Sequence, residues 1–320
     1  MSFYIGIDIG GTKTAYGLFD HSKKMVAKKK TSTNTELDAA AFFDAVCDEI
    51  LRFLKERQIS LSDVAGVGVG LPSFINFEQG YIVKTGSIPQ LHHFYLRDYL
   101  KRKLGNDIKI VIDNDGNTGA LAEFIYGAGQ GHDHMIFCLI STGIGSSIII
   151  NKTLFRGSYG GAGESGHMLT LPSVGLKASC GCNNAGCFNS ICSGKMILNY
   201  VKQWIRDGER TVMTDLAGSA DKITTEHIDT AYEMGDAVAK KAVEQMAQYM
   251  AVWLYNMYLM LNIKCFVFSG GLLYMGEKLL GRIKELFEQY NDMEYPVYFL
   301  EAKLGDDFGI IGAMELLFLK

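Results

Sequence analysis

Residues 5–19 read IGIDIGGTKTAYGLF. An apolar run, a glycine pair followed by threonine, and a second apolar run form a strand, a tight turn and a return strand. At residues 136–150 the pattern restarts as IFCLISTGIGSSIII, again strand, glycine- and hydroxyl-rich turn, strand. Around the first copy the sequence predicts a third strand near 25–31 and a helix over 36–57, with Leu37, Ala40, Ala41, Ala45, Ile50, Leu51 and Leu54 at helical spacing. The strand VAGVGVG follows, then a helix near 96–104, a strand IKIVI, the run DNDGN, and a helix over 117–126. After the second copy come a short strand near 153–155, a cysteine- and glycine-rich insertion, and helices to about residue 262. The strand CFVFSGG, a helix near 277–290, the strand VYFL and a final helix from 308 complete the chain. The two halves read as variants of one β-rich, helix-crossed unit with little direct similarity, so the fold class is duplicated α/β.

Composition is that of an ordinary globular protein: 320 residues, 48% hydrophobic and 21% charged, enough for two domains. With 31 basic against 35 acidic residues, nothing favours nucleic acid or an anionic membrane as partner. The basic run Lys23, Lys24, Lys28, Lys29, Lys30 reads as a solvated hairpin edge. FYIGIDI follows the first two residues with no secretory pattern ahead of it, so a cytosolic protein is expected. Residues 245–263 carry no charge, but Gln245, Gln248, Asn256 and Asn262 interrupt them, and they read as the tail of a long buried helix. Seven cysteines in a reducing compartment do not suggest a disulfide framework.

Glycines in a tight turn let backbone N–H groups approach an anion. Gly10, Gly11 and Thr12 in one half, and Thr142, Gly143 and Gly145 in the other, therefore suit a polyphosphate gripped at two turns. Neither turn has P-loop or dinucleotide-binding spacing. Asp8 and Asp115 stand at or just past the carboxyl ends of apolar strands, where open α/β sheets place ligands. Two such carboxylates fit phosphoryl transfer to an alcohol, one taking the hydroxyl proton and one holding a metal; each also fits simple capping of the next element. Cys180, Cys182 and Cys187, spaced C-x-C-x4-C, can fill three corners of a tetrahedral zinc site, with Cys192 or His167 as fourth ligand. His21, His92, His93, His132, His134 and His227 have no comparable context.

DIGGTKT, GVGVGLPS, DNDGN, STGIGSSI, GAGESGHM, CGCNNAGC and FSGGLL occur in an order that resembles the ROK family of sugar kinases and sugar-responsive repressors, over almost the whole chain. The resemblance implies actin-like (ribonuclease H-like) lobes around a central cleft: 1–116, then 117–305 with the zinc-binding insertion, and a helix over 306–320 returning to the first lobe. It implies that Asp115 is the general base and that Asn114, Glu164 and His167 bind sugar. By the same resemblance Gly10, Gly11, Thr12 and Lys13 with Thr142 and Gly143 form the phosphate turns, Gly270 and Gly271 lie against adenosine, and Asp8 marks the magnesium end. It favours His167 over Cys192 as the fourth zinc ligand, through the ring nitrogen that does not face the sugar.

Two positions depart from the family. Asn189 stands where GCxE is usual, and Ser73 where PG is commoner; both are expected on the sugar side. An amide there changes the hydroxyl pattern that is recognised. SICSGKMIL, LPSFIN and DDFGIIGAMELL look more like D-allose kinases than glucokinases. The resemblance thus implies a cytoplasmic, homodimeric kinase using ATP, Mg2+ and structural Zn2+ on the 6-hydroxyl of D-allose, glucose or an N-acetylmannosamine-like hexose. Its alternative is a sugar-sensing regulator or silent relative; family repressors carry a DNA-binding segment ahead of the first strand, which begins here at Phe3.

Overall fold

In the computed structural model, which describes residues 2–86, 88–170, 180–182, 184–293 and 295–319, β1 (Phe3–Ile9) is central to the first sheet. The chain turns back into β2 (Lys13–Phe19) and again into β3 (Met25–Ser32), each pair antiparallel. Helix α1 (Ala39–Lys55) leads to β4 (Val64–Leu71), parallel to β1. A hairpin of β5 (Ser73–Asn76) and β6 (Tyr81–Thr85) stands apart as its own two-stranded sheet, in a segment for which the sequence predicted no element. Helix α2 (Leu96–Leu104) then leads to β7 (Lys109–Asn114), parallel to β4, and β7 runs directly into α3 (Asp115–Tyr126). The sheet order is β3-β2-β1-β4-β7.

The second sheet repeats that order. β8 (Met135–Ile140), β9 (Ile144–Ile150), β10 (Thr153–Phe155), β11 (Cys265–Ser269) and β12 (Tyr298–Glu301) are arranged β10-β9-β8-β11-β12. In each sheet the third, second, first, fourth and fifth strands therefore lie side by side, as the duplicated pattern of residues 5–19 and 136–150 suggested. Between β10 and β11 come α4 (Phe188–Cys192), α5 (Gly194–Arg206), α6 (Met213–Ala217), α7 (Thr225–Glu233) and α8 (Ala237–Leu261). Helix α8 buries Met246, Met250, Trp253, Leu254 and Met257, and no helix among the described residues is long and apolar enough to cross a membrane. After β11, α9 (Leu280–Tyr290) precedes β12 and α10 (Phe308–Glu315) follows it.

Packing divides the chain into two compact units: Met1–Asp133 with Ser147–Ala162 and Ala302–Lys320, and His134–Ser146 with Gly163–Glu301. The first extends past the boundary at 116 read from the sequence because α3 packs against α10. Glycines let α10 approach both α3 and the sheet: a Cβ on Gly312 would come within 1.8 Å of Thr118 O, one on Gly6 within 2.0 Å of Ile310 O, and one on Gly68 within 1.7 Å of Ala313 O. The alternate glycines of GVGVG thus open the sheet face to a helix backbone. Fully buried Glu123 of α3 accepts N–H bonds from Ala128 at 2.9 Å and from Lys303 and Leu304 at 2.9 and 2.8 Å, fixing the segment that enters α10. The lysine-rich β3 is an edge strand whose side chains alternate outward, and its charges are paired: Lys28 with Asp307, Lys29 with Glu49 and Glu56, Lys30 with Asp306.

Candidate active site

Within the first unit, β1 delivers Asp8 and the turn after it. Gly10 donates its N–H to Lys13 O at 2.8 Å and Thr33 donates to Thr12 O at 3.0 Å, which closes the hairpin and leaves Thr12 and Lys13 exposed at its tip. Asp8 lies against Gly309, where a Cβ would come within 2.4 Å of its Oδ2. Burial raises the Asp8 carboxyl to about 7, repulsion from Asp115 adds to the rise, and Lys30 opposes it. Asp8 is itself half-buried, and repulsion from a neighbouring carboxylate is what a divalent cation with oxygen ligands would relieve.

β7 ends in DNDGN, and each of its polar letters has a defined place. Asn114 caps α3, accepting the Gly116 N–H at 2.8 Å while its amide donates to Ser73 O at 3.1 Å. Asp115 occupies the first turn of α3, where an anion is favoured by the helix dipole, and its carboxylate accepts from Gly116 N–H at 2.9 Å. Asp113, 2% exposed, accepts from Asn114 N–H and Asn117 Nδ2, each at 2.8 Å, and from Arg156 Nε at 2.7 Å. Arg156 lies over the Phe77 ring, 3.8 Å from its centroid. Asp113 and Arg156 therefore hold the strand–helix junction that presents Asn114 and Asp115. The buried Ser73 hydroxyl has no hydrogen-bond partner among the described residues and is free for a ligand.

Within the second unit, the turn after β8 is closed by Ser141 N–H on Gly143 O at 2.8 Å. The start of α5 secures it, Gly194 donating to Ser141 O at 2.9 Å and Lys195 to Thr142 O at 3.0 Å. Gly270 has φ +112°, and a Cβ there would meet Ile140 O at 2.3 Å, so a side chain is excluded on both counts. Thr142, Lys195, Leu198, Thr225, Gly271 and Tyr274 line a cavity of about 340 Å³ beside that turn. Sequence reasoning reached Gly271 and Thr142 but not Lys195, Thr225 or Tyr274, which lie on α5, on α7 and just past Gly271.

The same unit brings His167, Cys180, Cys182 and Cys187 together, with one donor atom of each within 4.8 Å of the others. Cys182 and Cys187 sulfurs are 3.8 Å apart, and His167 Nδ1 is 3.3 Å from Cys180 Sγ. Tetrahedral zinc with Zn–S bonds near 2.3 Å has an S···S edge of about 3.8 Å, so the donor set and its size fit zinc. Without a metal, the Cys180 sulfur raises His167 to about 9 against the effect of burial. Burial opposes ionisation of Cys180, yet His167, Cys182 and Asn189 together bring it down to about 6. The other candidate ligand, Cys192, is buried apart and bonded to Phe188 O at 3.2 Å. His167 Nε2, on the other side of the ring, lies 3.8 Å from Glu164. Part of the cysteine-rich insertion, 171–179 and 183, lies outside the described residues.

A model described as the ROK family matches residues 4–319. The chain belongs to the ROK family. It is 30% identical over 319 residues to a glucokinase of Halalkalibacterium halodurans, covering 97% of this chain and 93% of that protein. A xylose repressor of Caldicellulosiruptor bescii is 24% identical over 98% of this chain and 77% of its own length. The crystal structure of a ROK family glucokinase from Streptomyces griseus in complex with glucose and AMPPNP matches with TM-score 0.80 at 30% identity, covering 98% of this chain and 99% of that one. The fold is accordingly the actin-like ATPase fold of ROK glucokinases.

In this ROK chain, Asn189 is engaged differently from the sugar contact expected of its position. Its Oδ1 accepts from Ile144 N–H at 2.9 Å and its Nδ2 donates to Cys180 Sγ at 3.4 Å. Asp113 and Arg156, which sequence reasoning passed over, are the structural additions to the ROK motifs. The signal for Asp113 was present in DNDGN; nothing marked Arg156 as its partner 43 residues later.

Proposed function

We propose that this chain is an ATP- and magnesium-dependent kinase that transfers a γ-phosphoryl group to the 6-hydroxyl of a hexose, with D-allose, glucose and N-acetylmannosamine-like sugars as candidates. Asp115 takes the hydroxyl proton. Ser73, Asn114, Glu164 and His167 orient the sugar by hydrogen bonds, with Asn189 on the same side. The turns at Gly10, Gly11, Thr12 and Lys13 and at Thr142 and Gly143 hold the phosphates, and Gly270 and Gly271 border the adenosine in the cavity beside them. Asp8 holds magnesium, which when bound neutralises phosphate charge and lowers the cost of transfer. Zinc on His167, Cys180, Cys182 and Cys187 fixes the His167 ring so that Nε2 faces the substrate.

The observation that carries this reading is the pair of carboxylates, Asp8 and Asp115, close enough to repel each other at the carboxyl edge of the first sheet. Asp8 is half-buried near the end of β1, and Asp115 leads α3. The test is ATP consumption against a panel of hexoses. The wild type should turn over at least one, and Asp115→Ala should lower kcat roughly 10²–10⁴-fold, the usual worth of a general base. No turnover on any hexose leaves the sugar-sensing regulator standing, and an active Asp115→Ala variant removes the assigned base.

A further inference from the structure

We propose that Asn189 is a positioning residue that ties the His/Cys cluster to the second phosphate turn, so that metal occupancy sets nucleotide affinity. The proposal rests on the reading that the cluster holds a metal and that the turn holds phosphate. One short side chain makes both connections, Oδ1 to the N–H of Ile144, next to Gly143, and Nδ2 to Cys180 Sγ. Its own base is fixed. Asn189 lies in α4, where Ser190 Oγ donates to Cys187 O at 2.7 Å and Gln245 of α8 donates to Ile191 O at 3.0 Å. The far side of the turn is held by α5 through Gly194 and Lys195. The turn therefore has two supports, α5 and Asn189, and the second is anchored on a thiolate of the cluster.

The chemistry of the amide suits this task. An amide accepts at oxygen and donates at nitrogen, so it can bond an N–H and a thiolate at once. A carboxylate has no donor and would set an anion against the Cys180 sulfur. N–H···S donors to metal-bound thiolates belong to the outer contacts that orient ligands and tune metal affinity. Loss of the metal would release Cys180, then Asn189, then the N–H of Ile144, all within one compact unit.

Two variants separate the connections. Asn189→Asp keeps an acceptor for Ile144 but loses the donor to Cys180; Asn189→Leu loses both. Zinc release to a chromogenic chelator and Mg-ATP binding by calorimetry without sugar are measured for each. Asn189→Asp should release zinc roughly tenfold faster while binding nucleotide as the wild type does when metal-loaded. Chelation should weaken Mg-ATP binding to the wild type by roughly fivefold or more, and Asn189→Leu should bind that weakly even with zinc and respond no further to chelation. Wild-type nucleotide affinity unmoved by chelation overturns the proposal. So does Asn189→Leu binding nucleotide normally while sugar affinity alone changes, which would return Asn189 to a sugar contact. A wild type that holds no zinc or binds no Mg-ATP instead brings down the underlying reading of the site.

Discussion

A carboxyl group enclosed as Asp8 is holds its proton far above the ordinary range, from 3.8 to about 7, through burial first and Asp115 second. Between those values the folded protein binds more protons here than the unfolded chain, so stability from this group is full below about pH 4 and falls as pH rises towards 7. Asp8→Asn should flatten that slope in the ligand-free protein, read as urea midpoints at about pH 5 and about pH 8; a slope equal to wild type would show that Asp8 titrates normally. A second residue-scale consequence concerns Arg156, whose guanidinium reaches the buried Asp113 at 2.7 Å. Arg156→Met keeps the contact with Phe77 but leaves the Asp113 carboxylate without its cation, and should cost about 3 kcal/mol in denaturant. It should also lower kcat, since Asp113 holds Asn114 and Asn117 on either side of Asp115.

At the scale of elements, glycines determine what can lie on the first sheet. With Gly6 and Gly68 facing α10, any side chain larger than hydrogen displaces a helix backbone, not a flexible neighbour. Gly68→Val should therefore unfold or strongly destabilise the first unit, with a fall in melting temperature far beyond that of the same change at Gly86, where a Cβ would meet nothing within 4 Å and the backbone is not left-handed. These glycines were legible as a pattern and illegible as a cause, because α10 lies more than two hundred residues away. The strand–turn–strand copies, DNDGN and the cysteine spacing could be read because each is local. The β5–β6 hairpin escaped notice because its strands are four and five residues long. Glu123 escaped as well, since nothing near it announces that Lys303 and Leu304 will donate to it. Asn189 is a third case: its position suggested a sugar contact, whereas Ile144 and Cys180, 45 and 9 residues back, are what it touches.

At the scale of the whole molecule, the same strand order in both sheets made the duplication readable from two fifteen-residue stretches. The division into packing units was less readable, because Ser147–Ala162 and Ala302–Lys320 join the first unit across long sequence intervals. Ser147–Ala162 supplies Arg156 to the first sheet, and Ala302–Lys320 supplies α10. This arrangement has a consequence for synthesis. A ribosome delivers β1 and β4 first, and the helix that covers Gly6 and Gly68 emerges more than two hundred residues later. The residues of the second unit are complete before Ala302–Lys320 appears, so the unit begun first is the one whose sheet is covered last.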